Sequence, residues 1–240
     1  MDLIAVTRQS LSEAVFEQLR DQILSGQVEA GEALPSERVL CEQLGVNRSA
    51  LREALRRLQQ LRLISVRQGG ATTVLDYREH GGLELLVSLV AGPNGGLRPR
   101  AIRSFVEMRA ALAPDIAGLA ARRRSTEQVG ALREALETLR ECSELSARHA
   151  AHLQLWSVGV DASSNVAYRL MFNTLRRALD AVGPVVAAAL APELNHTPGY
   201  VAMVDAIAKR RSKAAAEAAT ELVSRGTRSM LRVVAQLEAA

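Results

Sequence analysis

Residues 34–74 constrain this chain more than any other stretch. LPSERVLCEQLG carries one short helical pattern, and after a break at Val46, NRSALREALRRLQQL carries a second. Pro35 and Ser36 open the first helix, Val39, Leu40 and Leu44 face inward, and Gly45 stops it. Asn47 caps the second, where Leu51, Leu55 and Leu58 form a buried stripe while Arg48, Arg52 and Arg56 project from another face. LISVRQGGATTVL then gives two β-rich segments, 63–67 and 72–75, joined by the turn Gln68-Gly69-Gly70-Ala71. Upstream, Ser10 and Glu13 make an S-x-x-E capping box, and Val15, Leu19 and Ile23 recur four apart until Gly26 ends a first helix.

Three helices and a glycine-tipped hairpin predict a winged helix-turn-helix head. A helix lying in the major groove needs long donors near its N-terminus, and Arg is the bidentate partner of guanine O6 and N7. Arg48 and Arg52, one turn apart, are placed for that. Asn47 and Ser49 sit beside the free N–H groups of the helix start and suit a phosphate or a base edge. Arg38 on the preceding helix reaches the same groove or its wall, and the tip Gln68, Gly69 and Gly70 admits close approach to a minor groove. A lone arginine stripe usually marks a solvated face. Charge counting favours the groove: residues 1–76 hold nine Arg against ten acids, yet 47–70 hold six Arg and one acid. The positive charge is a local patch on a chain of net charge +4.

Beyond Tyr77 no alternating pattern appears, and the sequence becomes rich in Ala, Leu and Arg with helical spacing. Helices are expected near 82–91, 101–123, 126–146, 148–160, 164–182, 199–211 and 213–238, with a further piece across 184–191. Pro114 should kink the second of these or restart it. The expected organisation is mainly α: a head over 1–76, a hinge at 77–82 and an all-helical sensor and dimerisation bundle over 83–240. Cys41 and Cys142 lie far apart inside helical patterns, which argues for a reducing cytoplasm and against a disulfide framework. The longest apolar run, 182–191, contains Pro184 and falls short of the roughly 20 residues a membrane span needs, so no membrane partner is expected. No nucleophile–base pair, phosphate loop or paired carboxylate suggests an enzyme.

At LPSER (34–38), GVNRSALREALRRL (45–58) and the glycine hairpin (68–71), the head resembles the GntR family of bacterial transcription regulators. The resemblance implies that Arg38, Arg48, Arg52 and the hairpin around Gly69 contact a two-fold symmetric double-stranded operator, supported by Asn47 and Ser49, with a homodimer as reader. Where the family usually has Gly before the first wing strand, this chain has Arg62.

The remainder is similar to the helical sensor of the FadR group within that family, on GGLELLVSLV (81–90), VEMRAAL (106–112), AGLAARR (117–123) and ASSN (162–165). Many members hold a divalent metal through one Asp and three His, which present it to a carboxylate effector. Counted from Asn165, those positions fall on His152, Trp156, Tyr200 and near Leu222, so no metal cofactor is expected. The group's fatty-acid-responsive members also lack the metal and answer to long-chain acyl-CoA. By resemblance, the expected effector is an acyl-CoA or fatty acid, with Trp156, Tyr168, Phe172 and Tyr200 around it and Arg109, Arg225 and Arg228 as candidates for its anionic groups. A metal-held small carboxylate is the alternative. On either reading the effector lowers operator affinity, as a repressor requires.

Overall fold

The structure is a computed structural model that describes residues 11–66, 70–90 and 98–239, without the side chains of 180–185. Ser10, Arg67, Gln68 and Gly69 lie outside the described residues. The chain divides into two compact units, Met1–Ser88 and Leu89–Ala240, beyond the 77–82 segment expected as a hinge.

In the first unit, α1 (Leu11–Ser25), α2 (Glu37–Leu44) and α3 (Arg48–Gln60) precede the antiparallel strands β1 (Ile64–Val66) and β2 (Thr72–Val74). Val15, Phe16, Leu19 and Ile23 of α1 pack in one core with Leu40, Leu51, Leu55, Leu58 and Leu63, all buried. Each such side chain contributes about 1.5–3 kcal/mol on leaving water. Capping is local. The Ser36 hydroxyl accepts from Val39 N, and the Asn47 side chain accepts from Ala50 N at 2.9 Å. Gly45 ends α2 in the left-handed region at φ 64°.

The strands pair Ile64 with Val74 and Val66 with Thr72. The connector also joins β2, since Leu34 N donates to Thr72 O and Val74 N to Glu32 O, each at 2.8 Å. This third edge was not expected from the sequence. Arg62 adopts φ 55°, the conformation that glycine usually supplies. Its N–H donates to Gln59 O while Leu63 N donates to Leu58 O, a complete Schellman closure of α3 with Arg at the left-handed position. Segment 77–82 begins as a helical turn, α4 (Tyr77–His80), whose cap Asp76 accepts from Arg78 N. A 3-10 turn, Leu83–Leu85, and α5 (Leu86–Val90) replace the single helix expected over 82–91.

The second unit is a bundle of α6 (Pro99–Arg123), α7 (Thr126–Glu141), α8 (Leu145–Ala162), α9 (Val166–Leu194), α10 (Thr197–Ala208) and α11 (Ser212–Ala239). The helix α11 packs along α6, α9 and α10, and α8 packs against α6, α7 and α9. Pro114 lies inside α6 and does not restart it, with Ala113, Ile116, Ala117 and Ala120 buried on both sides of it. Two expectations are corrected. The pieces 164–182 and 184–191 are one helix, α9: Leu175, Ala178 and Leu179 before Pro184 and Val186, Leu190 and Leu194 after it are all buried. Packing thus outweighs the roughly 3 kcal/mol that an internal proline costs. The break between α7 and α8 falls at 142–144, where Arg148 Nη1 donates to Cys142 O at 2.9 Å and fixes the turn. Among the described residues, no helix is long and apolar enough to cross a membrane.

Candidate functional site

The head presents its arginines at the start of α3. Asn47, Arg48 and Ser49 are exposed, and among the described residues no hydrogen bond or ion pair is found for the Arg48 side chain. Arg52 is held: its Nε donates to Glu37 Oε2 at 3.0 Å, across from α3 to α2. Arg38 is held along α2 by Glu42 Oε1 at 2.7 Å. Both pairs are exposed, so each is worth about 0–1 kcal/mol and opens readily to a phosphate or base. Gly70, at the wing tip, is exposed. Arg57 serves the fold instead. It pairs with Glu13 through both guanidinium nitrogens and lies 3.9 Å over the Phe16 ring. The bond from Arg57 holds the Glu13 carboxyl below its ordinary range.

The bundle contains a cavity of about 50 Å³. Phe105, Leu112, Trp156, Tyr168 and Phe172 give it apolar walls, and among its described lining residues Arg109 is the only cation. The periodicity of α6 explains this placement, since Phe105, Arg109, Leu112 and Ile116 lie on one face. Arg109 is nine-tenths buried and pairs through Nη2 with Glu193 of α9, whose side chain is wholly buried. His152 Nδ1 and the Tyr200 hydroxyl share a hydrogen bond at 2.8 Å, and the same His152 nitrogen lies 3.9 Å from Glu193 Oε1. Arg109 Nη1, Trp156 Nε1 and Glu193 Oε2 are buried with no hydrogen-bond partner among the described residues. Room for the Glu193 carboxylate depends on Gly226, where a Cβ would collide with Oε2.

Electrostatics follow from this burial. Loss of water pushes the His152 imidazole well below its usual range, and the charge of Arg109 and then His149 add to the shift. Burial raises the Glu193 carboxyl against the opposing attraction and hydrogen bond of Arg109. It also raises the Tyr200 phenol well above its usual range. At neutral pH the imidazole and the phenol are therefore neutral, and the charges of the cluster are those of the Arg109–Glu193 ion pair.

Four of the expected effector residues, Arg109, Trp156, Tyr168 and Phe172, meet at this cavity. Tyr200 lies behind it, fully buried and bonded to His152. Arg225 and Arg228 do not belong there. Arg225 pairs with Glu221 at 3.2 Å and Arg228 donates to Ser224 Oγ, because Val223, Gly226 and Met230 take the inward face of α11. The sequence reading missed Glu193, although an acid on the apolar stripe of Val186, Leu190 and Leu194 was a usable signal. The resemblance puts the metal-binding positions of the group at His152, Trp156, Tyr200 and near Leu222. An imidazole already bonded to a phenol, an indole N–H and an alkyl chain do not fit a divalent ion. Among the described residues, no three His, Cys, Asp or Glu side chains are grouped for one.

Comparison with known proteins agrees with both units. The model of the bacterial regulatory proteins of the gntR family matches residues 11–74, and that of the FCD domain matches 104–225. The chain belongs to the GntR family and is a DNA-binding transcription regulator with an FCD domain. It is 38% identical over 236 residues to the HTH-type transcriptional regulator Mce2R of Mycobacterium tuberculosis, covering 98% of this chain and 97% of that one. It is 27% identical over 181 residues to the fatty acid metabolism regulator protein of Erwinia tasmaniensis, covering 75% and 74%. The solved structure of Lar, which controls expression of the Listeria monocytogenes agr system, matches with a TM-score of 0.62 over 95% of this chain and 100% of that chain. At 14% identity that likeness shows the fold alone.

Proposed function

We propose that the protein is a homodimeric repressor whose operator affinity falls when a fatty acid or its CoA thioester occupies the bundle cavity. The observation that carries this reading is an apolar cavity lined by Arg109 and Trp156, each of which has a buried nitrogen, Nη1 and Nε1, with no hydrogen-bond partner among the described residues. Apolar walls with a few convergent polar groups are the usual make-up of a small-molecule site. The likeness to a fatty acid metabolism regulator supports the same class of effector.

Size defines what binding must do. Sites for drug-sized ligands run to about 300–1,000 Å³, so a cavity of about 50 Å³ takes a head group and the first carbons only. A long chain must part helices, and Tyr168 and Phe172 on the first turns of α9 are the walls that move. Tyr168 is held by its hydroxyl donating to Asp115 Oδ2 at 2.7 Å, a bond that opens at little cost on an exposed face. Movement of α9 changes the bundle on which the two heads are carried. On the DNA side, Arg48 and Arg52 read base edges, Arg38, Asn47 and Ser49 fix the backbone, and the wing tip at Gln68, Gly69 and Gly70 enters the adjacent minor groove. Titration of an operator duplex with a series of acyl-CoAs and free fatty acids tests the reading. Weakened binding with chain-length dependence supports it, and unchanged affinity across the series removes the lipid effector.

A further inference from the structure

Adding an anion to the cavity poses a charge problem. The cluster is already neutral, because Arg109 on α6 is matched by Glu193 on α9. The groups facing that pair from the other helices are His149 and His152 on α8 and Tyr200 on α10, with Arg148 of α8 acting on Tyr200 from farther off. The helix α11 presents Val223 and Gly226 there. A second carboxylate beside Glu193 would leave one negative charge in a dry site, and an unpaired buried charge costs several kcal/mol. A proton must enter with it, or the first carboxylate must give up its partner.

We propose that Glu193 is a built-in carboxylate that holds the effector's place on Arg109, and that a free carboxylate effector binds by displacing it, with Glu193 taking up one proton from solvent. The balance is complete. Before binding the site holds a guanidinium and a carboxylate; afterwards it holds a guanidinium, the effector's carboxylate and a neutral Glu193 acid. The effector then bonds to Arg109 through both nitrogens and to Trp156 Nε1, which supplies partners for the two donors now bare. Glu193 rather than His152 takes the proton. Burial already raises its carboxyl, and losing Arg109 removes the two influences that hold it down. His152, by contrast, is pushed down by burial and stays next to Arg109. Gly226 fits the same account, since the pocket that receives Glu193 Oε2 exists only because that position lacks a Cβ. The proposal rests on the cavity being the effector site, and it selects the free acid over the thioester.

The test is calorimetric titration of the full chain with sodium dodecanoate in buffers of differing ionisation enthalpy. About one proton should be taken up per dodecanoate bound, and affinity should rise about tenfold for each pH unit lowered over the range in which that proton is counted. Dodecanol, which has no charge, should bind without a proton. Glu193→Gln should abolish the proton uptake, flatten the pH profile and tighten dodecanoate binding at least tenfold at about pH 8, since the internal competitor is gone. A residue needed only for packing would weaken binding when changed. Dodecanoate binding without proton uptake overturns the proposal, as does weaker binding by Glu193→Gln. If that variant does not fold, the proton count on the unaltered chain decides. Operator release by dodecanoyl-CoA with no binding of dodecanoate would overturn this proposal and leave the effector reading standing; failure of both would end both.

Discussion

Arg62 shows how one residue can depart from a pattern while the backbone keeps it. Its φ of 55° is the left-handed conformation that closes α3, and a side chain there costs about 1–2 kcal/mol. Arg62→Gly should therefore raise the stability of the head by about 1 kcal/mol, read as a higher midpoint in chemical denaturation. Arg48→Ala should cost about 1–3 kcal/mol on the specific operator and much less on random DNA; equal loss on both would remove Arg48 from base reading. His152 supplies a pH signature. Its folded pKa is depressed, so its contribution is present above the unfolded value of about 6.5 and lost as pH falls below it. Glu193, raised in the fold, acts in the opposite sense, contributing most below the ordinary carboxylate range and eroding as pH rises. Comparing the pH dependence of unfolding for the unaltered chain and His152→Gln should show the loss of the acid-side slope in the variant. At this scale Arg109, Trp156, Tyr168 and Phe172 were legible, since motif likeness placed them. For Glu193 the apolar stripe around it signalled burial, but its partner was not legible, because the arginine comes from another helix.

Elements were legible where their ends are set by their own residues. Ser36, Gly45 and Asn47 terminate α2 and α3 through bonds within a few residues, so the reading head could be drawn from sequence. The limits of α7, α8 and α9 depend on distant partners. Arg148 donates to Cys142 O, twice to Leu194 O and to Thr197 Oγ1, and so joins the start of α8, the end of α9 and the start of α10. No local pattern announces that. Arg148→Met should leave the carbonyls of Cys142 and Leu194 bare at about 1–3 kcal/mol each, read as a lower midpoint for unfolding of the bundle. The Glu37–Arg52 pair between α2 and α3 makes an opposite prediction. Glu37→Gln frees Arg52 and removes a negative charge from the DNA-facing side, so binding to duplex DNA should tighten by up to about fivefold at low salt.

For the molecule as a whole, the head is that of a DNA-binding regulator and the bundle contains the cavity, so the proposed regulation is a coupling free energy between them. Such couplings are commonly about 1–3 kcal/mol, or roughly 5–150-fold in affinity, and they are reciprocal. The most direct test measures binding of the full chain to an operator duplex, selected from a random pool, by fluorescence anisotropy with and without saturating fatty acid or acyl-CoA, and then measures effector binding with and without that duplex. Operator affinity should fall at least about fivefold when the cavity is filled, and effector affinity should fall by the same factor on DNA. Equal operator affinity with the cavity empty and demonstrably full would contradict the account.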